Sequence, residues 1–133
     1  MSARSVFQEA ECISLAAAAL GFDWENLESV LDKVREELAE LEEAIAGRQG
    51  PGDPRVLHEL GDLIQALSTL GRFAGTPAET ALEAANARFS TRFALMGKIA
   101  ASRAQRLEDL DMPALDDLWE EAKALLEARA RGD

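Results

Sequence analysis

Glu37, Glu40, Glu59 and Asp62 form two acid pairs, each spaced i, i+3, in a chain dominated by Ala, Leu and Glu. A helix advances about 100° per residue, so each pair lies on one flank of its helix. With the middle of each apolar stripe set to zero, Glu37 falls roughly 70° and Glu40 roughly 130° to one side. Glu59 and Asp62 fall roughly 80° and 140° to the same side of their own stripe. If the two helices pack stripe to stripe and antiparallel, equal offsets bring all four carboxylates to a common side. A parallel pair would separate them. Acids gathered beside an apolar seam repel one another and lose hydration, a cost that a hard, oxygen-seeking cation offsets. Mg²⁺ is the first candidate, with Mn²⁺ as a substitute. Mg²⁺ keeps waters and favours phosphate oxygens, so such a site suits a triphosphate whose leaving pyrophosphate needs neutralising and whose attacking water needs activating. The competing reading is that these acids are the solvated flank of two acidic helices. Glu36, Glu42 and Glu43 point further round towards solvent and fit that blander reading, although Glu36 can still serve behind the ligands.

The elements that would position these acids are helical. Low β-branched content, no Tyr and abundant Ala, Leu and Glu favour helix throughout, so the expected class is all-α, an antiparallel bundle of about five helices with no sheet. The first helix is expected over 5–20, Ala-rich on more than one side, buried, and ended by Gly21. The second spans 26–46 with Leu27, Val30, Leu31, Val34, Leu38, Leu41 and Ile45 as its apolar stripe. The run GRQGPGD over 47–53 is a short turn, and Asp53 before Pro54 reads as an N-cap and first helical position, making the flanking helices antiparallel neighbours. The third helix, 54–74, carries Val56, Leu57, Leu60, Leu63, Ile64, Leu67 and Leu70. Thr76, Pro77 and Glu79 open a fourth helix over 77–100 with a capping box. A fifth covers 112–128, its stripe including Leu115, Leu118, Trp119, Ala122 and Leu125, with fraying expected after Ala128.

The chain has 133 residues, 47% of them apolar, enough for one domain over 1–133. Its net charge of -11 excludes a nucleic-acid polymer as partner over most of the surface, while a small anion can still bind through a cation or a local basic patch. Ile13 to Leu20 is too short to span a bilayer, and Glu9 and Glu11 occupy the place of a signal peptide's basic region. With its single Cys12 in an apolar helical pattern, the expectation is a cytoplasmic protein with no membrane partner.

Arg88 and Arg92 share a helix face at i, i+4, so they can grip one polyphosphate or simply be surface arginines. Lys33 sits four residues before Glu37, equally suited to pair with it or to meet a phosphate. Trp119 lies within an apolar stripe and reads first as core. Phe22 and Trp24 precede the second helix, where they staple its start or wall a nucleotide pocket. His58 belongs to no motif and reads as incidental.

The run KVREELAE, holding Lys33, Glu36, Glu37 and Glu40, followed by Glu59 and Asp62 in ELGD, resembles the MazG family of nucleotide pyrophosphohydrolases, whose mark is E-E-x-x-E followed by E-x-x-D. GFDW over 21–24, ANARF over 85–89 with Arg92 and Phe93, and LWEEAK over 118–123 extend the likeness across 21–123. The resemblance implies a helical, usually dimeric Mg²⁺ enzyme that splits a nucleoside triphosphate between its α and β phosphates, giving the monophosphate and pyrophosphate. By position, Glu37, Glu40, Glu59 and Asp62 match the family's metal ligands. Lys33, Arg55, Asn86, Arg88 and Arg92 match substrate contacts, and Trp119 a residue near the base. Glu36 and Glu40 are the acids available to take a proton from water. Arg88 replaces the Lys common in the family, and as a bidentate phosphate ligand it preserves binding. Only one such domain is present, whereas many relatives carry two.

Apolar stripes on several helices exceed what one small protomer can cover, so a homodimer is expected, with a tetramer as the alternative. Two rival functions differ in class. One is a narrow pyrophosphatase for dUTP or dCTP within the same superfamily; the other is an acidic helical adaptor with no catalysis.

Overall fold

A computed structural model describes residues 3–132 of the chain. Among these the order is α1 (Val6–Ala19), α2 (Leu27–Ala46), α3 (Pro54–Phe73), α4 (Ala78–Ser102), a 3-10 turn at Leu107–Asp109, and α5 (Met112–Arg131), with no strand. The all-α class follows from composition as expected. No helix among the described residues is long and apolar enough to cross a membrane.

Helix ends are set by local hydrogen bonds. Ser5 and Gln8 exchange the two bonds of a capping box at the start of α1. Asn26 accepts from the Ser29 N–H at α2, and Asp53 from the Arg55 N–H at α3, where Pro54 needs no donor of its own. Beyond α1, the N–H groups of Gly21 and Phe22 return to the carbonyls of Ala18 and Ala17, and Gly21 takes φ +89° to make that reversal. α5 does not fray after Ala128. It runs to Arg131 because Gly132, at φ +80°, turns its N–H back on Ala128 and Arg129.

The chain divides into two compact units at Leu82 and Glu83, inside α4. In the first, α2 and α3 are the main packed pair. Arg55 reaches the Gly47 carbonyl, Glu40 gathers with Glu59, and Lys33 shares a cavity with Asp62, so later residues of α2 meet earlier ones of α3. The pair is therefore antiparallel. Val30, Leu41 and Ala66 are buried between the elements. The α3 stripe serves two directions: Val56, Leu63 and Leu70 are partly buried, whereas Leu57, Leu60, Ile64 and Leu67 are exposed. A Cβ on Gly71 would stand 2.6 Å from the Thr76 carbonyl oxygen and 2.9 Å from the Ala78 nitrogen, so only glycine lets the chain fold back so closely after α3.

α1 departs from expectation, since none of its residues is buried. Ile13 and Leu15 stay about half exposed, at 55% and 49%. The reason lies in its face: Ala10, Ile13, Ser14 and Ala17 border a cavity instead of interlocking with large side chains.

The second unit has its own core. Met96, Ile99 and Ala100 of α4 bury against Leu118 and Ala122 of α5, with Leu95, Leu107, Leu110, Leu115 and Trp119 packed around them.

Candidate active site

The acid-rich flanks of α2 and α3 converge. Oxygens of Glu37, Glu40 and Glu59 lie within 4.8 Å of one another, as do ligand atoms of His58, Glu59 and Asp62. Glu59 belongs to both groups. The four acids therefore form two overlapping sets in place of one cluster of four. Asp62 is drawn towards His58, whose Nε2 stands 3.2 Å from Asp62 Oδ2 at i, i+4. His58, read from sequence as incidental, is thus in contact with the site, and its four-residue spacing to Asp62 was the available signal.

Glu37 is the anchor. It is only 5% exposed, and Lys33 Nζ stands 2.8 Å from its Oε1. That hydrogen bond holds the Glu37 carboxyl below its usual pKa and raises Lys33 above its own. Glu40 is pushed the other way, first by the negative charge of Glu37. Meanwhile Glu37 Oε2 and Glu59 Oε2 are buried with no hydrogen-bond partner. Orphaned carboxylate oxygens facing shared space are costly unless something positive meets them. The donor set is carboxylate oxygen with one imidazole alongside, which fits a hard divalent cation. The cluster can hold a metal ion.

Other anticipated residues have different surroundings. Glu36 is exposed, 3.6 Å from Lys33 and outside both acid groups. Arg55 is committed to the α2–α3 turn: its Nη2 donates to the Gly47 carbonyl at 2.6 Å and to Asp53 Oδ2 at 3.1 Å. Asp53, buried, also accepts from the Gln49 N–H, and these donors hold its carboxyl well below the usual carboxylate range. A triphosphate contact would have to compete with all of this.

Beside the acids lies a cavity of about 560 Å³. Lys33, Glu37 and Asp62 line it together with Phe22 and Trp24, which lead into α2, and the inner face of α1. Sequence reasoning missed one of its supports. Arg72 of α3 donates to Ser14 Oγ at 3.0 Å and pairs with Asp23 at 2.7 Å, tying α1 and the GFDW run to α3. No motif marks Arg72, because its partners lie far away in sequence.

Asn86, Arg88 and Arg92 lie on α4 in the second unit, the first two exposed. Arg92 is half-buried, its guanidinium 5.6 Å from the centre of the Trp119 ring, and Phe89 packs on the same indole at 5.1 Å. Trp119 is therefore a supporting wall of this unit, with Arg92 lying over it.

No family model matches the chain. It is 37% identical over 115 residues to the nucleoside triphosphate pyrophosphohydrolase of Escherichia coli (strain K12), which covers 86% of this chain and 43% of that protein. It is 40% identical over 108 residues to the nucleoside triphosphate pyrophosphohydrolase/pyrophosphatase MazG of Thermotoga maritima, covering 80% of this chain and 40% of the relative. An uncharacterized protein of Bacillus subtilis (strain 168), YabN, is 34% identical over 75 residues, 56% of this chain and 15% of that one. The chain thus spans less than half the length of the curated relatives it matches. With the paired acids of KVREELAE and ELGD brought to one side of an antiparallel helix pair, the chain belongs to the MazG family.

Proposed function

We propose that this chain is a Mg²⁺-dependent nucleoside triphosphate pyrophosphohydrolase that cleaves (d)NTPs to (d)NMPs and pyrophosphate, cleansing the cytoplasmic nucleotide pool. One observation carries the reading: two buried carboxylate oxygens, on Glu37 and Glu59, have no hydrogen-bond partner among the described residues at the point where α2 and α3 bring their acids together. The names of the Escherichia coli and Thermotoga maritima relatives supply the reaction.

Glu37, Glu40, Glu59 and Asp62 would hold Mg²⁺, with Mn²⁺ as a substitute. When bound there, the ion would supply charge neutralisation for triphosphate oxygens and lower the pKa of a water. Lys33 sets the charge on Glu37 and adds a positive charge for the phosphates. His58 orients Asp62. Glu36, outside the clustered oxygens though 3.6 Å from Lys33, or Glu40 would take the proton from the attacking water. The family resemblance gives Asn86, Arg88 and Arg92 the role of phosphate contacts, and within their own unit Trp119 lies under Arg92. Arg55 acts on the turn, and on substrate only through it.

The exposed row Leu57, Leu60, Ile64 and Leu67 on α3 supports a homodimer. The test of function is release of pyrophosphate from the eight common NTPs and dNTPs with Mg²⁺. Glu37→Gln and Glu59→Gln should abolish it while helical content stays at the wild-type level. Full activity in both variants would exclude this reading.

A further inference from the structure

The second unit has a groove of its own, about 370 Å³ in volume, between α4 and α5. Ser90, Thr91, Ala94 and Lys98 line it from α4, at steps of three and four residues that put them on one side of that helix. Arg129 lines it from α5. Leu95 and Leu126 supply its apolar surface, along which the long stems of the two cations can lie.

Every polar side chain in this lining can donate, and none is negative. Lys98 and Arg129 form no ion pair or hydrogen bond among the described residues. Ser90 and Thr91 are equally unspent. A hydroxyl on a helix commonly gives its proton to a carbonyl one turn back, as Thr69 does to Gln65 and Ser102 to Ile99. Among the described residues no such bond takes the proton of Ser90 or Thr91. No carboxylate lines the groove, although the chain has 25 acids against 14 lysines and arginines. Other cations of the same unit are met from within it: Arg103 by Glu121, Arg106 by Glu108, and Arg92 by the Trp119 ring.

Ordinary helix electrostatics covers only part of this. Arg129 stands in the last turn of α5, where a cation suits the helix dipole. Lys98 lies ahead of the last turn of α4, and the dipole gives no reason for two idle hydroxyls beside it. Two cations and two hydroxyls around one space match an anion with several acceptor oxygens. A guanidinium fork beside an ammonium point charge suits phosphate in particular. Arg88 and Arg92 belong to another side of α4. With the middle of Ser90, Thr91, Ala94 and Lys98 set to zero, they fall roughly 105° and 145° round the helix.

We infer that the groove between α4 and α5 is a second anion site, in which Lys98, Arg129, Ser90 and Thr91 hold a phosphate group without a metal and without the acids of α2 and α3. Free phosphate and the pyrophosphate of the proposed reaction share this chemistry.

Calorimetric titration of the metal-free protein, with chelator present and ionic strength held constant with KCl, tests it with inorganic phosphate and with pyrophosphate. Wild type should bind at least one of them saturably in the millimolar range or below. Lys98→Met and Arg129→Met should each weaken that binding by about tenfold, at unchanged helical content. Arg88→Gln should leave it at the wild-type value. Equal affinities for the two anions support a single-phosphate occupant; tighter pyrophosphate supports one that spans both cations. With saturating Mg²⁺, Lys98→Met and Arg129→Met should release pyrophosphate from NTPs at the wild-type initial rate. No saturable heat with either anion, or wild-type affinity in both methionine variants, overturns the site. Binding lost in Arg88→Gln, or hydrolysis lost together with binding in Lys98→Met and Arg129→Met, overturns its independence by assigning the anion to the substrate contacts.

Discussion

Lys33 Nζ and Glu37 Oε1 are 2.8 Å apart, while the second oxygen of the same carboxylate is buried without a partner. Half of Glu37 is thus satisfied from within α2, and half waits for a charge from outside. The lysine and a bound cation address the same carboxylate, so they compete for it as well as share it. Lys33→Met separates the two roles. Without metal the variant leaves a buried carboxylate unpaired and should lose about 1–3 kcal/mol of stability. Added Mg²⁺ should recover most of that loss, because it supplies the missing charge. Its apparent Mg²⁺ affinity should rise above wild type while kcat/KM for nucleotide falls. Thermal melts with and without Mg²⁺, alongside calorimetry, check this; a drop in Mg²⁺ affinity would mean that Lys33 preorganises the site and does not compete for it.

Glu40 predicts a pH dependence of opposite sign to that of Glu37. The Glu37 carboxyl is lowered, so its contribution to stability is present above the ordinary glutamate value of 4.5 and fades as pH falls through its folded value. Glu40 is raised by the charge beside it, so its ionisation costs stability as pH rises through its folded value. Glu40→Gln removes that cost. The metal-free variant should therefore melt higher than wild type on the alkaline side of the raised Glu40 value, and gain nothing well below the ordinary glutamate value of 4.5. With saturating Mg²⁺ the advantage should vanish or reverse. Melting curves over this pH range, with chelator and with Mg²⁺, provide the test.

The convergence of Glu37, Glu40 and Glu59 could be read from sequence because it needs only the helical period and one short loop. Asp53 before Pro54 was equally legible, being a local capping signal. Asp62 was harder: wheel arithmetic gives its flank, but its pairing with His58 depends on which side-chain rotamers meet. Arg55 has contacts that positional matching leaves out. Its partners, Asp53 and the Gly47 carbonyl, are supplied by the path of the turn, which composition alone leaves undefined. The Arg72 contacts with Ser14 and Asp23 were illegible for another reason, since no periodicity links α1, the GFDW run and the end of α3. The weak burial of α1 had the same origin: alanines on several faces promise contact without saying what fills the opposite side.

Arg55 gives a prediction that separates turn from substrate. Its guanidinium bridges the C-terminal end of α2 to the N-cap of α3, and with Pro54 and Asp53 it fixes where the antiparallel pair begins. Arg55→Met should lower the melting temperature by several degrees, while KM for nucleotide changes less than about threefold, well under the tenfold that a lost charged contact brings. Asp53→Asn should lower melting similarly at neutral pH. The gap from wild type should narrow as pH falls, since the depressed pKa of Asp53 makes its contribution one that acid removes. A large rise in KM for Arg55→Met with unchanged melting would restore this arginine as a direct phosphate ligand.

The exposed face of α3 yields a final expectation. Leu57, Leu60, Ile64 and Leu67 recur at helical spacing and range from 42% to 71% exposed, on the same helix that carries Glu59 and Asp62. A row of this kind is stable in water when a second surface covers it, and a two-fold dimer would place the same row against itself. Ile64→Glu puts a charge in the middle of the row, where a symmetric contact would bring two such charges together. Light-scattering chromatography should then find the wild type as a dimer and the variant as a monomer at the same concentration. Ile64 is adjacent in sequence to neither Glu59 nor Asp62, so metal binding by the monomer separates two designs. Retained Mg²⁺ affinity means that each protomer holds its own cation site; loss of affinity along with the dimer means that association holds α3 in register for its acids. A variant that remains dimeric excludes this face as the interface.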